Sequence, residues 1–144
     1  MSQKRAIEVA KAILKLSEPE VGDSVTNLKL QKLLYYTQGF SLAIYGKPLF
    51  KEKILAWQHG PVVREVYDEY KEYGAGSLPV PNENVLLSED EKSLIVEVWK
   101  VYGQFSAWRL RDMTHDELPW KDTEKNRVIT HKALKSYFKT LVVA

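Results

Sequence analysis

The chain has 144 residues, of which 44% are hydrophobic, and it contains no cysteine. This length suits one compact domain with its own core, and the lack of cysteine excludes disulfides and thiolate chemistry. Lysine and arginine number 21 against 19 aspartates and glutamates, so the net charge of +2 gives no global reason to expect nucleic-acid binding. The sequence lacks the apolar run of a signal peptide or of a membrane span, which favours a soluble, cytoplasmic protein.

The charge is unevenly distributed along the chain. Residues 1–64 carry 10 basic and 5 acidic residues, residues 65–117 carry 5 and 12, and residues 118–144 carry 6 and 2. The middle of the chain is therefore acidic, and both ends are basic.

Hydrophobic periodicity predicts two helices in the first third of the chain. Residues 4–16 have apolar side chains at helical spacing with charged residues between them. Thr26 is placed to cap a second helix, whose apolar residues cover more than half of its circumference, as expected of a helix at the centre of a core. Gly39 inside this helix costs about 1 kcal/mol relative to alanine, so we expect a close helix crossing there. Gly46-Lys47-Pro48 ends the helix.

Residues 49–87, in the middle of the chain, predict secondary structure less clearly. The apolar stretch 49–57 fits either a turn of helix or a short β-like ribbon. Gly60 and Pro61 predict the start of a helix, because proline suits a first helical turn, and this helix should end near Gly74. The segment 75–87 is rich in glycine, proline and asparagine and is predicted to be a loop.

Capping signals mark the helices of the second half. Ser88 and Glu91 form a capping box, and Ser106 and Thr130 are placed to cap two further helices, with an irregular segment at 115–125 between them. The sequence thus predicts an all-α fold, in which about six helices form a single compact domain over residues 1–144, with a short β-like ribbon near residues 49–57.

Reactive chemistry is poorly represented. His115, Asp116 and Glu117 are adjacent and form the only suggestive local group, but a zinc site needs three or four converging ligands, and neither HExxH nor paired cysteines occur. The chain also lacks a nucleophile elbow and a glycine-rich phosphate loop. We therefore expect no enzymatic activity, no metal and no cofactor, with a metal or hydrolase site at His115 as the minor alternative.

A nucleic-acid-binding regulator is the second functional interpretation. Basic residues in the first and last predicted helices would form a phosphate-binding face if the two ends met in space. These residues are Lys4, Arg5, Lys11, Lys15, Lys121, Lys125, Arg127, Lys132, Lys135 and Lys139.

Two blocks of sequence resemble a known family. The first contains LQKLLYY at residues 30–36, GKPLF at 46–50 and AWQHGPV at 56–62, and the second contains LRDMTHDE at 110–117 followed by Pro119-Trp120. Both blocks, in this order, resemble the Panacea domain of SocA-like antitoxins, a bacterial and phage-associated family. The resemblance spans roughly residues 5–140.

The resemblance implies a cytoplasmic helical domain that neutralises a cognate protein toxin, often by direct contact, with the toxin encoded next door. It implies no catalytic residues, and it specifies neither the toxin nor the oligomeric state. We expect the toxin to meet a surface outside the motifs, either the acidic helix of residues 61–73 or the loop after Gly74.

We assign the motif residues to three roles. The expected core residues are Leu30, Leu33, Leu34, Trp57, Val62 and Tyr67. The expected scaffold residues are Lys32, Tyr36, Trp57, Gly60, Pro61 and Trp120. The polar residues Gln38, Gln58, His59, His115 and Asp116 are predicted to form a network that joins the Gly60-Pro61 segment to the loop after Thr114, with a structural or partner-binding role.

Overall fold

The computed structural model describes residues 4–142. Within this range the chain forms seven α-helices and a three-stranded antiparallel sheet. The helices are α1 (Ala6–Leu14), α2 (Asn27–Tyr45), α3 (Arg64–Tyr70), α4 (Glu89–Tyr102), α5 (Ala107–His115), α6 (Leu118–Lys121) and α7 (His131–Lys139). The strands are β1 (Ile54–Trp57), β2 (Gly60–Val62) and β3 (Val128–Ile129). The predicted all-α character is thus confirmed in its main part, and the sheet is larger than the single expected ribbon.

Helix α2 is the centre of the fold, as its apolar circumference predicts. The Lys29 amide donates to Thr26 Oγ1 over 3.2 Å, which confirms the predicted N-cap. Helices α1, α4, α5 and α7 all pack against α2, and Leu30, Leu33 and Leu34 are fully buried there. The helix ends at Gly46, which has φ 74° and donates its amide to Leu42.

The expected close crossing at Gly39 is present. A Cβ atom at this position would overlap the ring of Phe138, which comes from α7. Glycine is therefore needed here for α7 to approach α2, and this contact offsets the weak helix propensity of Gly39.

The prediction for Gly60 and Pro61 is wrong. These residues lie in β2, which pairs with β1 in the register Ala56 to Pro61 and Trp57 to Gly60, and helix α3 begins only at Arg64. Proline is tolerated because β2 is an edge strand, where a missing amide hydrogen removes no ladder bond. Strand β3 pairs with the other side of β1, with Ile54 opposite Ile129, a long-range partner that local periodicity does not predict.

Three further expectations need correction. Of the stretch 49–57, only residues 54–57 form a strand. The segment 115–125 is not wholly irregular, because Pro119 lies in the single turn of α6, where its missing amide hydrogen is harmless. Trp57 and Tyr67, expected in the core, are only partly buried, because they line a cleft.

The capping predictions for the second half are confirmed. Ser88 and Glu91 exchange hydrogen bonds between their side chains and amides, and the Arg109 and Ala133 amides donate to the hydroxyls of Ser106 and Thr130. These contacts fix where α4, α5 and α7 begin.

Basic residues near the N-terminus have partners in the acidic middle of the chain. Lys11 lies 2.7 Å from a carboxylate oxygen of Glu83, Lys15 donates to the Glu83 carbonyl, and Lys4 lies 3.6 Å from Glu91. Three of the side chains expected to bind phosphate thus already contact other parts of the protein.

Within residues 4–142, no helix combines the length and apolar character needed to cross a membrane.

Candidate functional site

A cleft of about 690 Å³ lies where the start of α2, the β1–β2 turn, α3 and the start of α5 meet. We call it the tryptophan cleft. Its aromatic lining residues are Trp57, Tyr67 and Trp108, and its polar ones include Asn27, Gln31, Gln58, His59, Lys71 and Asn126. A second cleft of about 720 Å³, between α6 and α7, is lined by Leu118, Pro119 and Tyr137 with several hydroxyl groups, but it contains fewer of the motif residues.

The aromatic walls of the tryptophan cleft are held in place by specific contacts. Trp57 and Tyr67 meet edge to face with ring centroids 5.1 Å apart. Trp108 is 59% exposed, yet the Arg111 guanidinium lies 5.2 Å from its ring centroid, and the His59 ring is 5.7 Å away. An exposed tryptophan fixed by a cation over its face is a preformed contact surface.

The floor of the cleft is a chain of amide hydrogen bonds. Asn27 Nδ2 donates to the Tyr67 carbonyl over 3.1 Å, and Gln31 Nε2 donates to Asn27 Oδ1 over 2.9 Å. The Val63 amide in turn donates to Gln31 Oε1 over 2.9 Å. These bonds tie α2 to the end of β2 and to α3, so the shape of the floor is set by satisfied polar groups.

Lys32 lies behind this floor, under the β1–β2 turn. Its side chain is fully buried, and Nζ donates to the Pro61 carbonyl over 3.2 Å. Burial, together with the smaller effect of the nearby Arg111 charge, lowers the pKa of Lys32 to about 7. Gly60 has φ 109°, and a Cβ atom there would lie 2.6 Å from Lys32 Cε. The family motif therefore places Gly60 where both the backbone angle and the lysine stem require glycine.

Trp108, Arg111 and His115 lie on one face of α5, and Trp108 lines the cleft. Arg111 Nε donates to His59 Nδ1 over 3.2 Å, which links α5 to the β1–β2 turn. The His115 ring stacks on Trp120 at 3.9 Å, and Trp120 Nε1 donates to the Trp57 carbonyl over 2.7 Å. Burial lowers the pKa of His115, and the Arg111 charge lowers it further, while the Gln58 backbone opposes both.

The structure brings together only part of the polar set that the motifs suggested. Gln58, His59 and His115 lie around the β1–β2 turn. Gln38 lies elsewhere, because it accepts from the Leu49 and Phe50 amides and donates to the Phe50 carbonyl. Asp116 is exposed at the end of α5, with its backbone capping the helix. The functional role of the whole set stays a prediction.

Sequence reasoning missed Arg111 and Trp108 as site residues. The available signal is their spacing, because positions 108, 111 and 115 lie three and four residues apart and share one face of a helix. The irregular segment predicted at 115–125 hid that face, since it left His115 outside the helix.

Glu117 was considered in the sequence only as a neighbour of His115 and Asp116, and it received no role among the motif residues. Tyr35 and Tyr36 donate their hydroxyl groups to its two carboxylate oxygens over 2.9 and 2.8 Å. Burial nevertheless raises the pKa of Glu117 to about 7, while the two phenols favour the ionised form. This contact anchors the start of α6 to α2.

The described residues 4–142 contain no group of three or more histidine and acidic side chains that could hold a metal ion. The fold and the cleft define a small, mainly helical protein with a preformed aromatic surface. Residues 30–121 match the family model described as "Antitoxin SocA-like, Panacea domain". This match covers more than half of the chain, and the protein belongs to that family. Searches of curated proteins and of solved structures gave no significant match.

The family match includes both tryptophan walls of the cleft and all of α5. It leaves out α1 and α7. The aromatic cleft is thus built mainly from the part of the chain that the family model describes.

Proposed function

We propose that this chain is an antitoxin-like interaction protein that neutralises a cognate toxin by direct binding in the cytoplasm, and that the toxin contacts the tryptophan cleft. Family membership supports the antitoxin role. The location differs in part from our sequence-based expectation, because motif residues such as Trp57 line the cleft, but Tyr67, Lys71 and Ala75 of its lining belong to the helix and loop that we expected.

One observation carries the location: Trp108 is 59% exposed at the mouth of a cleft. Tryptophan and arginine are the residues most enriched among those that dominate binding energy at protein interfaces. Here Arg111 lies over the Trp108 ring, so the ring loses little conformational freedom on binding. The fixed amide floor below adds to this preorganisation.

Co-expression with the adjacent open reading frame tests the proposal. The adjacent frame alone should arrest growth, and this chain should restore it. A Trp108→Ala variant should weaken the purified complex by about 2 kcal/mol, a roughly thirtyfold rise in Kd. The matched control is Leu118→Ala, since Leu118 is 54% exposed in the other cleft, and it should leave binding nearly unchanged.

Two outcomes would contradict the proposal at different levels. A non-toxic neighbour, or toxicity that this chain does not relieve, removes the antitoxin role. If Leu118→Ala abolishes the complex while Trp108→Ala retains it, the toxin binds at the cleft between α6 and α7.

A further inference from the structure

Basic groups gather beside the tryptophan cleft, where the β1–β2 turn meets α5. Arg111 contacts His59 directly, and Lys32 and His115 lie close behind. Arg111 lowers the pKa of both Lys32 and His115, and Lys32 also lowers that of His115, so these three groups repel one another.

The negative charge near this group is small. Arg111 Nη1 pairs with Asp112 Oδ1 at 3.0 Å, but the Asp112 side chain is 64% exposed and its field is screened by water. Within residues 4–142, no carboxylate forms an ion pair with Lys32. Arg111 is therefore the fixed positive charge of this group at neutral pH, because the pKa of Lys32 is about 7 and that of His115 is lowered, and this charge is only partly compensated.

Two buried polar groups also form fewer hydrogen bonds than they could. Lys32 has three N–H donors when protonated, and Nζ forms a hydrogen bond with one group, the Pro61 carbonyl. Nε2 of His115 is buried and has no hydrogen-bond partner among the described residues. A polar group left in this state raises the free energy of the free protein, and a nearby anion would stabilise the cationic forms of both.

Resting on the function proposed above, we propose that the tryptophan cleft recognises an aspartate or glutamate within an apolar segment of the partner protein. The carboxylate binds at Arg111 and His59, and the neighbouring apolar side chain packs between Trp57 and Trp108. Arg111 uses Nε and Nη1 for its hydrogen bonds to His59 and Asp112, so its Nη2 group can donate to a carboxylate of the partner.

The charge of α3 selects a discrete carboxylate over a nucleic-acid backbone. This helix borders the cleft through Tyr67, and Lys71 directly after it lines the cleft as well. Glu65, Asp68 and Glu69 are exposed on α3, and Asp68 pairs with Arg64 and Lys71. An extended polyanion that ran along α3 would meet the exposed carboxylates of Glu65 and Glu69. A single acidic side chain flanked by apolar residues avoids that repulsion.

Selection from a random dodecapeptide phage library on the immobilised full chain tests the proposal. The enriched peptides should carry Asp or Glu beside an aromatic or aliphatic residue. A synthetic copy of the most enriched peptide should lose about tenfold in affinity when its acid is replaced by the corresponding amide, and also when the protein carries Arg111→Glu. The matched control is Arg109→Glu, on the exposed side of α5, which should change Kd less than threefold.

The outcomes separate this inference from the proposed function. Enriched peptides without acids, no enrichment, or equal binding by Arg111→Glu would each overturn acid recognition. Competition by a 20-nucleotide single strand that depends on Arg111 would also overturn it. If Arg111→Glu does not fold, as judged by circular dichroism, the amide-for-acid peptide decides the question. If the adjacent toxin is neutralised equally by the wild type and Arg111→Glu, acid recognition is wrong and the antitoxin role stands.

Discussion

The aromatic side chains of this protein lie in two contrasting regions. On one side of α2 they form a closed cluster, which we call the aromatic core cluster, comprising Tyr35, Tyr36, Phe40, Tyr102 and Phe138. Its rings meet each other, with Tyr36 stacked on Tyr102 at 3.9 Å and Phe40 meeting Phe138 at 4.9 Å. In the tryptophan cleft, by contrast, Trp108 faces solvent and its ring is held by Arg111.

The ionisable groups of the two regions differ in the same way. Beside the aromatic core cluster, both carboxylate oxygens of Glu117 accept a phenol. Behind the cleft, Lys32 has one carbonyl partner. Aromatic and charged residues that satisfy each other stabilise the fold, whereas those with unused faces or donors are available to a partner.

Truncating one aromatic side chain in each region gives the largest expected effect. Phe138→Ala should lower the free energy of unfolding by about 3 to 5 kcal/mol, because Phe138 is fully buried and fills the crossing at Gly39. Trp108→Ala should change it by less than about 1 kcal/mol, because that side chain is mostly exposed. Urea denaturation of both variants measures the difference, and similar losses would show that Trp108 is a structural residue.

The next largest expected effect is the change with pH in the difference in unfolding free energy between the wild type and Lys32→Met. The pKa of Lys32 is about 7 in the folded protein and about 10.5 in the unfolded chain, so the unfolded chain binds more protons between these values. The wild type should therefore gain about 1 to 3 kcal/mol of stability over Lys32→Met between pH 6 and pH 9.5. The control is the exposed Lys92→Met. A flat curve for Lys32→Met would mean that Lys32 has an unrecognised partner.

Local signals predicted the helices well because caps and periodicity act over a few residues. Thr26, Ser106 and Thr130 cap the helices that they were expected to cap. The sheet was less predictable, because β1 pairs with β3 from more than 70 residues away. In addition, proline at residue 61 is equally compatible with the start of a helix and with an edge strand. The strand is favoured by its pairing with β1 and by tertiary hydrogen bonds, in which the Val63 amide donates to Gln31 Oε1 and Lys32 Nζ donates to the Pro61 carbonyl.

The site was predictable only in part, for a physical reason. His59, Gln58 and Trp57 are consecutive, so the motif identified them together. Arg111 joins them from 52 residues away, and no local pattern shows that its guanidinium reaches His59. Gln38 was grouped with them for its polar character, but its side chain satisfies the backbone of residues 49 and 50 instead.

Glu117→Gln gives the smallest expected effect on stability. It tests the contact between the Glu117 carboxylate and the two tyrosines of the aromatic core cluster. The pKa of Glu117 is about 7 when folded and about 4.5 when unfolded, so here the folded protein binds more protons between these values. The wild type should therefore lose about 1 to 2 kcal/mol of stability relative to Glu117→Gln as pH rises from 4.5 to 7, the opposite sign to Lys32. Asp116→Asn, at the exposed neighbouring position, is the control. A wild type that gains stability relative to Glu117→Gln over this range would mean that the two phenol hydrogen bonds outweigh burial. In that case the Tyr35 and Tyr36 hydroxyls would hold Glu117 ionised, and the charge beside the core would stabilise α6 at neutral pH.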